Sequence, residues 1–222
     1  MNVTLISHST NPLESICIAI ANMTTKNPIE YVKDLDYSSK CKMVEEIFKS
    51  KLQGPLEFAD FHFHLEGVTR SFTHQIVRHR TFSFSQQSLR FFNASQSGFR
   101  MPSIIPAGEE ILRNNVEYTM RTYQALINLG VPTEDARSVL PHGILTLISF
   151  RCTYRGLVDL AGVRLCAQAQ GEFKEVVCNI KEEVAKIEPY LASKLLPICK
   201  HTGYCEFKSS YDRPCPEGKH SA

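Results

Sequence analysis

The sequence predicts an α+β fold, with helices packed on an antiparallel-rich sheet in a single domain over residues 1–222. Three observations carry this expectation. Strand-like and helix-like segments follow one another without the strand–helix–strand rhythm of a parallel doubly wound sheet. No glycine-rich phosphate loop follows a strand, which argues against a Rossmann dinucleotide fold. Two clear periodicities also coexist. Residues 56–66 alternate, with Phe61, Phe63 and Leu65 on one face and His62 and His64 on the other. By contrast, Leu112, Val116, Met120, Tyr123 and Leu126 step by three and four, as on one face of a helix.

Taken in order, residues 2–7 alternate and read as a first strand, with Val3 and Leu5 inward. Asn11-Pro12 starts a helix that continues through Ile16 to Ile20. Residues 24–38 are polar and read as a loop. Ser38 or Ser39 caps a helix to about Leu52, with Met43, Ile47 and Leu52 inward, and Gly54-Pro55 breaks it. After the 56–66 strand come a helix over 69–79, an extended or looped Thr81–Phe91 and a Ser/Gly/Pro loop over 92–105. A long helix over 107–129 ends at Gly130 and Pro132. A short helix over Glu134–Leu140 follows, then a strand over 144–152 and helices over 155–170 and 172–191. The segment from about residue 200 reads as a C-terminal tail.

The formal net charge is +2, which gives no general case for nucleic-acid or membrane binding. The N-terminus lacks the basic and apolar regions of a secretory signal, and the apolar stretch at 144–150 is too short to span a bilayer. The expected compartment is the cytoplasm, where the eight cysteines are reduced thiols. Cys199, His201, Cys205 and Cys215 crowd near the C-terminus, but their spacing matches no paired zinc pattern, so no metal is expected. His62 and His64 share a strand face without a third ligand in view. His142 has no assignable role.

The chemistry concentrates at residues 75–90. Gln75, Arg78 and His79, spaced i, i+3 and i+4, share one face of the 69–79 helix, with Arg80 about 100° further round. Guanidiniums crowded around an imidazole suit an anion or an electron-rich ring. A solvated basic helix end favoured by the macrodipole is the plainer reading. The following run, Thr81 to Arg90, is dense in hydroxyls and amides that hydrogen-bond sugar, base and phosphate oxygens.

The segment RHRTFSFSQQSLRF resembles the signature of flavin-dependent thymidylate synthases: Arg-His-Arg, seven residues, Ser, then x-Arg-aromatic. The lead-in at 66–77 is similar, with Gln75 three residues before the motif. Glu134 to Pro141 resembles the family's E-x-A-R-x-x-L-P segment, and Arg164, Gln168, Gln170 and Glu172 resemble R-x-x-x-x-A-Q-x-E. The resemblance covers roughly residues 50–175. It implies a homotetramer that binds FAD, dUMP, methylenetetrahydrofolate and NADPH, with active sites shared between subunits and no nucleic-acid or membrane partner. By position, Arg78, His79, Arg80, Gln86, Thr153, Arg155 and Asp159 would contact FAD. Gln75, Arg78, Gln86, Gln87, Ser88, Leu89, Arg90 and Arg137 would hold dUMP. Arg164 would contact and activate the uracil as the catalytic residue.

The chain departs from the family pattern in several places. Leu52 and Gly54 stand where many members have His and Ser, Phe58 where His is common, Thr153 and Asp159 where Asn is common, and Gly171 where Trp is usual. A pocket reshaped at these positions that admits water would yield 5-hydroxymethyl-dUMP instead of dTMP. A further alternative is a non-catalytic flavin- or nucleic-acid-binding protein that uses the basic 78–90 segment. No cysteine lies in an activating context, so no thiolate nucleophile is expected. Cys152 and Cys166 read as small core residues, and Arg155 and Asp159 as an i, i+4 ion pair.

Overall fold

The computed structural model describes residues 1–50, 52–102 and 106–205. Cys215, one of the candidate zinc residues, lies outside them. Four strands form one antiparallel sheet in the order β1–β2–β4–β3: β1 Asn2–His8, β2 Asp60–Thr69, β3 Ser83–Gln86 and β4 Leu145–Thr153. The helices are α1 Pro12–Ala21, α2 Pro28–Lys33, α3 Tyr37–Lys49, α4 Arg70–Ile76, α5 Pro106–Asn128, α6 Thr133–Ala136, α7 Tyr154–Arg164, α8 Gly171–Ile187, α9 Pro189–Ser193 and α10 Ile198–Thr202. The packing groups the chain into two compact units. Among the described residues, the first comprises 1–2, 64–78, 84–102 and 106–149; the second comprises 3–50, 52–63, 79–83 and 150–205.

The antiparallel register can be read from single contacts. The Ser9 amide donates to the Asp60 carbonyl, the Tyr154 amide to the Ala59 carbonyl and the Arg70 amide to the Ile144 carbonyl. Alternation along β2 and β4 then sends Phe61, Phe63, Leu65, Ile148, Phe150 and Cys152 into the interior. In the second unit the rings of Phe63 and Phe150 meet across the strands at 5.3 Å, and Phe61 lies 6.3 Å from Tyr154. The Tyr154 hydroxyl, buried with its ring, donates to the Leu191 carbonyl at 2.8 Å. Offset or tilted aromatic pairs of this kind add about 0.5–1.5 kcal/mol each beyond the area they bury. In the first unit Leu89, Ala94, Tyr123, Ala136 and Ile144 form a core against which Met120 and Leu126 of α5 pack. Of the helical stripe expected over 107–129, Met120, Tyr123 and Leu126 face this core.

Several boundaries differ from expectation, each for a local reason. The polar stretch 24–38 contains α2, started by Pro28 at its first position and anchored by the buried Val32. Helix α3 begins earlier than Ser38, because the Asp36 carboxylate accepts the Ser39 amide at 2.7 Å as its cap. Leu52 is 70% exposed instead of inward. Residues 54–58 form a 3-10 turn, so the strand begins only at Asp60; it then runs through Gly67, whose φ of +68° only glycine adopts without strain. The helix expected over 69–79 stops at Ile76, and the one over 155–170 stops at Arg164. The helix over 172–191 divides at Glu188, which precedes Pro189 and is extended, with φ −145°.

Two helices start directly from strands through the same device. Thr69 at the end of β2 accepts the Phe72 amide at 3.0 Å, and Thr153 at the end of β4 accepts the Gly156 amide at 3.3 Å. Gly156 has a second role: a Cβ built there would lie 2.6 Å from the Phe82 ring. Phe82 in turn stacks on Phe150 at 5.5 Å. Overpacking such a contact costs about 1–3 kcal/mol. Gly156→Ala is therefore expected to lower the melting temperature by several degrees in a thermal scan, and an unchanged transition would contradict this packing.

Candidate active site

In the first unit the end of α4 and the 86–90 segment bring polar groups together. Because α4 ends at Ile76, Arg78 and His79 do not share a helix face with Gln75, as the 69–79 helix had suggested. Arg78 follows in a turn, its amide bonded to the Gln75 carbonyl at 3.2 Å, and its side chain is exposed. The Gln75 side-chain amide reaches the Ser71 carbonyl at 3.4 Å. Gln86, at the end of β3, donates to the Thr73 hydroxyl at 2.9 Å. The Gln87 amide bonds to the Leu147 carbonyl, and its own carbonyl accepts from Arg70 at 3.3 Å. Ser88 Oγ accepts the Arg90 amide at 3.2 Å.

The side chain of Leu89 is buried in the core, so this predicted ligand contact has only its main chain to offer. Arg90 Nε donates to the Glu134 carboxylate at 2.8 Å, and the Arg90 carbonyl accepts from the Thr133 hydroxyl. Arg137 Nε is taken up by the Glu134 carbonyl at 3.0 Å. Beside this segment lies a cavity of about 290 Å³, lined by Arg70, His74, Leu89, Arg137 and His142 among others. No carboxylate stands among the described residues that line it.

In the second unit His79 is half-buried and stacks on Phe82, with ring centroids 5.2 Å apart. The Phe82 amide donates to the His79 carbonyl at 3.1 Å, which fixes the turn between them. Burial, and then the Arg164 guanidinium, hold the His79 pKa below its ordinary 6.5, while Asp159 pulls the other way. The imidazole is therefore neutral at pH 7. Arg80 is exposed. Thr153 is spent as the cap of α7. Arg155 Nε bridges both carboxylate oxygens of Asp159 at 3.2 Å, and this pair lines a cavity of about 370 Å³ together with Gln53, Phe48 and His201. At the end of α7 the Arg164 guanidinium lies over the Phe173 ring at 4.3 Å.

This geometry belongs to a known family. Residues 4–190 match the family model described as thymidylate synthase complementing protein. The flavin-dependent thymidylate synthase of Pyrococcus furiosus is 34% identical, over 92% of this chain and 89% of that one. The chain belongs to the flavin-dependent thymidylate synthase family. It is an enzyme of the methyltransferase class. The flavin-dependent thymidylate synthase of Geobacter sulfurreducens is 30% identical, over 98% of this chain and 92% of that one. Among solved structures, a UMP/dUMP methylase of Streptomyces cacaoi bound with 5-Br dUMP shares the fold, with a TM-score of 0.71 over 87% of this chain and 93% of that one, at 19% identity.

Within this flavin-dependent synthase fold, polar residues outside the motif also have local structural partners. His64 Nδ1 lies 2.9 Å from the Ser149 hydroxyl and its Nε2 lies 3.8 Å from Glu66. Among the described residues no group of side chains could hold a metal ion, and no helix is long and apolar enough to cross a membrane. Arg70, His74 and His142 line the 290 Å³ cavity, and the sequence assigned none of them a role. The i, i+4 spacing of Arg70 and His74 was a visible signal; the placement of His142 depends on the sheet register.

The environment of His79 makes a prediction. Its NMR titration midpoint is expected to fall below 6.5, rising in Arg164→Ala and falling further in Asp159→Asn. A wild-type midpoint at or above 6.5 would contradict the burial and charge pattern described.

Proposed function

We propose that the chain converts dUMP to dTMP in the cytoplasm, with methylenetetrahydrofolate as carbon donor, FAD as redox carrier and NADPH as reductant. The observation that carries this reading is the neutral, half-buried imidazole of His79, backed by Phe82, within the Arg-His-Arg motif of a flavin-dependent synthase. The residues present fit a flavin dinucleotide. A neutral imidazole set against an aromatic ring suits contact with a planar heterocycle, and the exposed guanidiniums of Arg78 and Arg80 suit phosphate oxygens. Arg155, with Asp159, Thr153 and Gln86, would complete the set that holds FAD.

When bound, the flavin supplies the redox equivalents that turn the transferred carbon into a methyl group. The chain's own residues bind and polarise the pyrimidine nucleotide. Gln75, Arg78, Gln86, Gln87, Ser88, the main chain of Leu89, Arg90 and Arg137 hold dUMP. Uracil C5 is a poor nucleophile until negative charge builds on the ring. Arg164 provides for that charge, because its guanidinium stays protonated at any working pH and presents paired N–H donors. Its position over Phe173 holds the head group in place.

A thiolate that adds to the ring is the alternative route, and the cysteine environments weigh against it. Burial pushes the Cys17 thiol up to about 12 and raises Cys152 and Cys41 as well, which disfavours the thiolate in each. Assembly as a homotetramer with sites shared between subunits is part of the proposal. The exposed Ile111 and Tyr118, seven residues apart on one face of α5, supply apolar surface for subunit contact.

The test is an assay of the purified protein with FAD, NADPH, methylenetetrahydrofolate and dUMP, with the product nucleotide identified by mass. The expected product is dTMP; 5-hydroxymethyl-dUMP or no conversion would overturn the reading. Arg164→Ala is expected to keep its flavin and lose about a hundredfold to a thousandfold in kcat, while no single Cys→Ala change does so. Light scattering under assay conditions should give the tetramer mass, and a fully active monomer would refute the shared-site arrangement.

A further inference from the structure

We infer that Phe48 and His201 form a stacking wall for the flavin, so that one ring system of the cofactor packs against this ring pair inside the cavity of about 370 Å³ in the second unit. The inference rests on the flavin reading and deepens it. It brings in α10, which lies beyond the residues 4–190 matched by the family model, and two residues that the Arg-His-Arg motif does not supply.

Contacts within the chain hold the wall in place. The ring centroids of Phe48 and His201 are 5.5 Å apart and their planes are 3° from parallel. A flat ligand that stacks on one ring is therefore parallel to the other as well. His201 Nε2 donates to the Lys194 carbonyl at 3.0 Å, which fixes the orientation of the imidazole. Lys181 Nζ donates to the Leu195 carbonyl at 2.9 Å and ties the segment that leads into α10 to helix α8. On the other side α10 lies close to α7, where a Cβ built at Gly162 would be 3.8 Å from Ile198 Cβ. Donation to a carbonyl puts the His201 proton on Nε2. Burial, the largest influence, holds the pKa of the ring below its ordinary 6.5, so the ring is neutral at pH 7 and Nδ1 is an acceptor.

The other lining groups indicate the class of ligand. Arg155 and Asp159 enter the cavity as a matched pair, with Arg155 Nε 3.2 Å from both carboxylate oxygens. Their charges offset one another, so the cavity does not select an anion. What it offers is donors beside acceptors, and Gln53 adds one group of each kind. That pattern matches the edge of a nitrogen heterocycle, where carbonyl or ring-nitrogen acceptors stand next to N–H donors. Val158, Val163 and Ile198 supply apolar surface for its faces. The volume lies near the lower end of ligand clefts, about 300–1,000 Å³, which takes one ring system and excludes a whole dinucleotide. FAD carries two such systems, isoalloxazine and adenine, and FMN carries only the first.

The test is a fluorescence titration of FAD and of FMN with the full chain as wild type, Phe48→Leu, His201→Leu and His201→Phe, with circular dichroism to confirm that each variant keeps its helices. Phe48→Leu and His201→Leu are each expected to weaken FAD about three- to tenfold. His201→Phe keeps a ring but loses the bond to Lys194, and it should recover most of that loss. If the stacked ring is isoalloxazine, FMN weakens in parallel and the visible absorption band of the bound flavin shifts in the leucine variants. If it is adenine, FAD alone weakens and the band stays where it is. Unchanged FAD affinity in both leucine variants would overturn the inference and leave the flavin reading standing. Equal weakening in His201→Phe and His201→Leu would also overturn it, and would assign His201 to anchoring α10 on Lys194. A wild type that binds neither FAD nor FMN would overturn the flavin reading itself, and the inference with it.

Discussion

The pairing of β2 with β4 is the constraint from which the rest follows. Period-two alternation means that a slip of one residue would carry every inward aromatic on either strand to the opposite face. The observed register instead lets Phe63 meet Phe150 in one unit and lets His64 meet Ser149 in the other. It also fixes where each strand ends. Each of the two strands ends in a threonine that caps the next helix, so sheet register determines where α4 and α7 begin. Arg70 and His74 ride on the first of these helices, and Arg155, Asp159 and Arg164 on the second. A substitution that shifted the pairing would thus displace both sets of polar residues at once, although none of them takes part in the ladder.

What was legible in the sequence was whatever a short-range pattern encodes. The alternation at 56–66 and the three-and-four stepping of 107–129 found a strand and the longest helix, because burial imposes those periods directly. The Arg-His-Arg motif and its spacing to Ser88 identified the family before any geometry. The misread stretches were those where a single local interaction outweighed composition. Asn27-Pro28 starts a short helix in a polar stretch, and only the burial of Val32 shows why it forms. The end of α4 was misread because charge content gives no stop signal. Residues 77–82 instead follow the His79–Phe82 turn and its ring stack, which depend on a glycine more than seventy positions later. His142 was unreadable for the same reason: its neighbours come from another segment of the chain.

The two polar clusters solve opposite electrostatic problems. Around His79 the environment keeps an ionisable group neutral. Burial and the Arg164 guanidinium both disfavour its protonation, while the Arg155–Asp159 pair keeps its own charges matched nearby. Around Arg70 two guanidiniums come together, and the hydrogen bonds of Arg70 and Arg137 go to carbonyl oxygens. The first arrangement suits a planar, redox-active heterocycle whose charge changes during turnover. The second suits a group whose negative charge is permanent. A chain with a formal net charge of +2 thus maintains local fields that its overall composition does not announce.

The burial of Leu89 has a practical consequence for mutagenesis. With its side chain committed to the core beside Tyr123 and Ala136, any ligand at this position is read through the peptide group. Side-chain truncation there would damage folding and report nothing about recognition, so alanine scanning is blind to whatever the position contributes. Backbone chemistry is the suitable tool. An ester in place of the amide at Leu89 removes one donor and leaves the side chain untouched, which separates recognition from folding at a site where ordinary substitution confounds them.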